Sequence, residues 1–106
     1  MLDDADIRNA VDAVLAAAPA GSAVIVFGSY ARGHARPGSD LDLLVIEPEV
    51  KARRQEMVRP ADVLRGLGIS ADVVVVSRKT FSEWKSTPGT IVYEAAREGR
   101  VFGEGA

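Results

Sequence analysis

Apolar positions are grouped in two ways along this chain. Near the start, Ile7, Val11, Val14, Leu15 and Ala18 recur at helical spacing and form one stripe. Asp3, Asp4 or Asp6 can cap that helix, and their charge suits its dipole. Pro19-Ala20-Gly21 ends it. Short unbroken apolar runs then take over, and their length and flanking turn residues predict strands. The first spans Ala23 to Phe27, the second opens at Ser39-Asp40-Leu41-Asp42 and continues to Ile46, and the third is Asp72 to Val76. The valine run of the third predicts a strand buried on both faces.

Helical patterns separate and follow these runs. Glu49 to Leu67 reads as helical, with Met57, Val58, Ala61, Leu64 and Leu67 as its apolar set. Pro60 predicts a kink there, or two helices with the proline near the start of the second. The basic residues Lys51, Arg53, Arg54 and Arg59 read as a solvated face. Phe81 and Trp84, three apart, are expected in core or partner contacts. Thr90 to Arg97 predicts a last helix with Ile91, Tyr93 and Ala95 inward, Val101-Phe102 an edge strand, and GEGA a frayed end. Alternating strands and helices give an α/β fold.

The 106 residues predict one domain with a modest core, too short to include a second domain for an acceptor. A formal net charge of −2 argues against an extended nucleic-acid track, which needs many phosphate contacts. A single nucleotide needs few. There is no cysteine, so neither disulfides nor thiolate metal sites arise. The acidic start MLDDAD has no signal-peptide pattern, and no apolar run approaches the roughly 20 residues of a membrane span. A cytoplasmic protein with no membrane association is the expectation.

Candidate chemistry is concentrated between the first two strands, in GSYARGHARPGSDLD. Side chains alternate along a strand, so Asp40 and Asp42 are expected on one face, where two carboxylates repel unless a cation joins them. Mg²⁺ suits that role, because one or two carboxylates hold it together with substrate phosphates. Asp42 stands inside a strand of Leu, Val and Ile, where an unpaired carboxylate is costly. Gly28 lets backbone approach a ligand, and Ser29 adds a hydroxyl for a phosphate oxygen at a helix start. Arg32, three residues on, can face the same side and counter triphosphate charge, or pair with a nearby carboxylate. His34, the sole histidine, falls in a Gly/Pro loop and is expected to be exposed without a catalytic role.

Gly28-Ser29, Arg32-Gly33 and Ser39-Asp40-Leu41-Asp42-Leu43 resemble the signature of the nucleotidyltransferase superfamily typified by DNA polymerase beta. The resemblance runs from about Ala20 to Phe102, and the closing TPGTIVYEAAREGRVF looks like the minimal nucleotidyltransferase (MNT) group. It implies a small mixed sheet with helices packed on it, and a third metal-binding carboxylate, Asp72, at the head of the third strand. It also implies two Mg²⁺ ions, with Mn²⁺ as a substitute, and ATP as substrate. Asp40, Asp42 and Asp72 would be the catalytic and metal residues, and Gly28, Ser29, Arg32 and Ser39 the nucleotide-binding ones. Asp72, nearest the acceptor, would act as base or position the base.

Many proteins of the MNT group are antitoxins of helical HEPN ribonuclease toxins, and some transfer AMP to a tyrosine of the toxin. The resemblance implies that partner and a hetero-oligomer here. Two rival functions remain open on the residues themselves: neutralising a partner by occlusion without chemistry, and modifying a small molecule such as an antibiotic.

Overall fold

The computed structural model describes residues 1–51 and 53–103. The elements run α1 (Asp4–Ala17), β1 (Ala23–Phe27), α2 (Ser29–Arg32), β2 (Leu41–Glu47), α3 (Arg53–Gly66), β3 (Ala71–Ser77), α4 (Arg78–Trp84), α5 (Ile91–Glu98) and β4 (Arg100–Gly103). The strands form one four-stranded sheet in the order β3-β2-β1-β4. β1 is antiparallel to β2 and β4, and β2 is parallel to β3. This is the small mixed sheet with packed helices that the sequence led us to expect.

Strand alternation splits the core into two layers. Val24 and Val26 of β1, Leu41, Leu43 and Val45 of β2, and Val75 of β3 pack with Ile7, Ala10, Val11 and Val14 of α1 and Leu64 of α3. On the opposite face Ala23, Ile25 and Phe27, Leu44 and Ile46, and Val76 pack with Phe81 of α4 and Val92 and Ala95 of α5. α1 is started by Asp3, whose side chain accepts from the Asp6 N–H while Asp6 accepts from Asp3 in return.

Several expectations are corrected. The split into two helices at Pro60 does not occur, because α3 runs through the proline as one helix. The buried proline ring lines a small void with Val14, Ala17, Val45 and Glu47. The inward face of α3 is also rotated from the expected one. Glu56, Pro60 and Leu64, spaced four apart, are buried, whereas Met57, Val58 and Leu67 are exposed.

Similarly, α5 buries Val92 and Ala95 but exposes Ile91. Phe81 is core, as expected, and Trp84 is exposed. β3 lies at the sheet edge, and of its valines only Val75 and Val76 are buried. The basic stretch is exposed at Lys51, Arg54 and Arg59, while the Arg53 side chain lies outside the described residues. So do Ala52 and, from the closing GEGA, residues 104–106. Among the described residues no helix is long and apolar enough to cross a membrane.

Candidate active site

Register brings the predicted residues to one end of the sheet. Asp42 lies directly across from Phe27 on β1 and from Asp72 on β3. Opposed residues in a ladder share a face, so Asp42 and Asp72 stand on the face that buries Leu44, Ile46 and Val76 farther along. α4 and α5 cover that farther part, Asp42 is partly buried, and Asp72 is exposed.

The turn after β1 is built around the Asp42 carboxylate. Gly28 caps α2 with φ 72° and ψ −152°, a conformation essentially reserved for glycine. A Cβ there would overlap Asp42 Oδ2 and lie 2.9 Å from its Cγ. The backbone of Gly28 can therefore press against the carboxylate only because position 28 has no side chain. Ser29 opens α2, and its carbonyl accepts from the His34 N–H at 2.9 Å. α2 is a single turn, so its dipole is weaker than a full helix would give. The N–H groups of its first residues, which a helix start leaves without intrahelical partners, are the anion-binding feature that remains.

Asp42 carries a carboxyl whose pKa is raised, first by burial, then by the charges of Asp72 and Asp40, with Arg32 pulling the other way. All three acids and the arginine thus act on one locus. Asp40 is exposed, one residue ahead of β2, and accepts from the Ser70 hydroxyl at 2.5 Å. The Ser39 hydroxyl accepts from the Arg36 N–H and its own N–H donates to the Arg36 carbonyl, both at 2.9 Å, so it closes a turn. Ser39 also lines a cavity of about 230 Å³ with Tyr30, Gly38, Ile69 and Ser70. Arg32 donates to Glu98 at 2.9 Å. His34 is exposed, as expected.

Among the described residues no three His, Cys, Asp or Glu side chains gather into a ready-made metal cage. The three acids expected to hold metal share a neighbourhood without closing on one point. The donor set nevertheless suits a hard cation: burial first, and then two neighbouring acids, hold the Asp42 carboxyl at a raised pKa, and a divalent ion would favour its charged form. Mg²⁺ needs only one or two protein carboxylates when phosphates and water complete its shell.

A strand–turn–strand with Gly-Ser at one rim and in-register acids at the other is the geometry, and the family model for the nucleotidyltransferase domain matches residues 7–98. The chain belongs to this family. No curated protein matches it. As a nucleotidyltransferase domain it carries the chemistry of nucleotidyl transfer, a transferase activity of the EC 2.7.7 type. The family uses a nucleoside triphosphate and a divalent metal.

Three partners in this nucleotidyltransferase domain lie beyond what its sequence suggests. Ser70 engages Asp40 from the strand-leading loop. Glu98 engages Arg32 across 66 residues: the sequence left open that this arginine pairs with a carboxylate, but not which one. The Tyr30 hydroxyl accepts from the Leu2 N–H at 3.1 Å and ties the chain start to the α2 turn. All three are long-range contacts with no local pattern to announce them.

Proposed function

We propose that this domain transfers a nucleoside monophosphate from a nucleoside triphosphate to a hydroxyl on another protein, with Asp42 at the centre of the site. The observation that carries this reading is the fit between Gly28 and Asp42. A glycine-only backbone lies against a partly buried carboxylate that Asp72 faces in register. A domain that only folds has no need to press a carboxylate against a turn that only glycine can make.

In this reading the Gly28-Ser29 turn binds the β- and γ-phosphates, supported by Arg32, and Ser39 borders the nucleotide. Asp40 and Asp42 would hold a divalent ion on the triphosphate, and Asp42 with Asp72 a second at the acceptor. Bound Mg²⁺ neutralises phosphate charge and favours the acceptor alkoxide. The acceptor oxygen forms a bond to the α-phosphorus as the bond to the bridging oxygen of pyrophosphate breaks. Asp72 receives or directs the acceptor proton. We take ATP as the donor and a tyrosine of a HEPN-type toxin as the acceptor, from the resemblance of the closing stretch to the MNT group. On that reading the domain is an antitoxin and works in a complex with its target.

Intact mass spectrometry of a co-purifying partner, after incubation with this chain, Mg²⁺ and each nucleoside triphosphate in turn, tests the reading. The expected result is a gain of one or more nucleotide units, lost with Asp42→Asn. An equal gain with that variant would overturn the site. A tight complex without any gain would replace transfer by occlusion.

A further inference from the structure

Arg32, at the end of α2, is paired with a carboxylate from a helix far along the chain. Its Nη1 donates to Glu98 Oε1 at 2.9 Å, while its charge is felt at Asp42. Glu98 ends α5, where the helix dipole disfavours an acid. The rest of α5 follows dipole logic, with Glu94 in the first turn and Arg97 in the last. Helix stability therefore does not account for Glu98.

Packing fixes where Glu98 sits. A Cβ on the next residue, Gly99, would overlap Ile25 Cγ2 and the Ala95 carbonyl and lie 3.1 Å from the Val26 carbonyl. The end of α5 is thus pressed onto β1, the strand that leads into the Gly28-Ser29 turn. Arg32 closes that turn's helix, and Gly33 follows it in the left-handed conformation. Both members of the pair are anchored to the same short piece of backbone.

We propose that Glu98 is a positioning residue of the nucleotide site: it holds the Arg32 guanidinium at the site's edge, leaving the rest of its fork for the triphosphate. This rests on the proposed nucleotide site and assigns its supporting residue. A guanidinium has five donors in a rigid fork, and Glu98 takes Nη1. A long arginine side chain has much rotamer freedom to lose, and a partner that restricts it before the ligand arrives reduces that loss. The opposite role, a latch that competes with phosphate for Arg32, predicts effects of opposite sign.

The test is calorimetric titration of ATP and of GTP with Mg²⁺ into wild type, Glu98→Ala, Glu98→Gln, Arg32→Ala and the Arg32→Ala/Glu98→Ala double variant. Steady-state kinetics with the acceptor accompany it, and thermal melts establish that each variant is folded. Glu98→Ala should weaken binding roughly three- to fivefold, the range of a partly exposed ion pair. KM should rise while kcat changes less. Glu98→Gln keeps an acceptor oxygen and should recover most of the loss, and the double variant should match Arg32→Ala alone. Unchanged or tighter binding by Glu98→Ala, or additive losses in the double variant, would overturn the proposal. If wild type binds neither nucleotide, the nucleotide-site reading fails and takes this inference with it. Wild-type binding that Glu98→Ala leaves untouched removes the inference alone.

Discussion

At the scale of single residues, Asp42 trades stability for chemistry. Its carboxyl is held at a raised pKa by burial and by two neighbouring acids, so its ionised form is disfavoured in the metal-free fold. Asp42→Asn should therefore raise the stability of the metal-free domain near neutral pH while abolishing transfer. Thermal melts in a chelating buffer measure this, and a lower melting temperature than wild type would mean that the carboxylate is satisfied within the chain. Gly28→Ala should do harm on both counts. It meets a glycine-only backbone conformation costing about 1–3 kcal/mol and drives a methyl into Asp42, so denaturant titration should show the loss of stability alongside the loss of transfer. Asp40, Asp42 and the Gly28-Ser29 turn were readable in sequence because polar residues interrupted apolar strands there. The engagement of Asp40 by Ser70 and of Arg32 by Glu98 was not, since nothing local distinguishes those partners from other surface residues.

At the scale of elements, β1 was read from the sequence with its bounds as observed, and the ends of the other strands moved by a residue or two. Unbroken runs of Val, Leu and Ile at strand length leave little alternative. Helix faces were harder. α3 carries apolar residues on more than one side, and the sheet selected the side bearing Glu56, Pro60 and Leu64, so Met57 and Val58 stayed outside. Counting apolar positions cannot anticipate a face that contains a glutamate and a proline. In α5 the decisive residue comes after the helix: Gly99 allows its end to touch β1, and that contact orients Val92 and Ala95 inward in place of Ile91. Gly99→Ala has no backbone strain to overcome, because φ is −81°, but its methyl would strike Ile25 and the Ala95 carbonyl. It should destabilise by about 1–3 kcal/mol in urea unfolding and disturb the Arg32–Glu98 pair. An unchanged unfolding midpoint would show that α5 can move off β1 freely.

At the scale of the whole molecule, β2 carries opposite electrostatic problems at its two ends. Asp42 is partly open to solvent at one, and Glu47 is sealed at the other with 1% of its surface exposed. Glu47 faces α3 and Glu56, and among the described residues its Oε1 has no hydrogen-bond partner, as is also true of the Ser22 hydroxyl just beyond the β1 ladder. Burial first, then the charge and hydrogen bond of Glu56, push the Glu47 carboxyl from its ordinary 4.5 to about 7, with Arg59 opposing. Two carboxyls this close share a proton most readily when one is neutral. Between pH 4.5 and about 7 the folded chain keeps a proton on Glu47 that the unfolded chain has released. Stability from this pair is thus present at low pH, declines through that window by up to about 1.4 kcal/mol per pH unit, and levels off above it. Other carboxylates add slopes of their own, so the informative quantity is the difference between wild type and Glu47→Gln. The glutamine amide donates to Glu56 at every pH, and urea unfolding across the window should find the variant gaining on wild type as pH rises. Parallel curves would mean that Glu47 is ionised throughout. α3 would then be held to the sheet through Arg59 and apolar contact, without a shared proton.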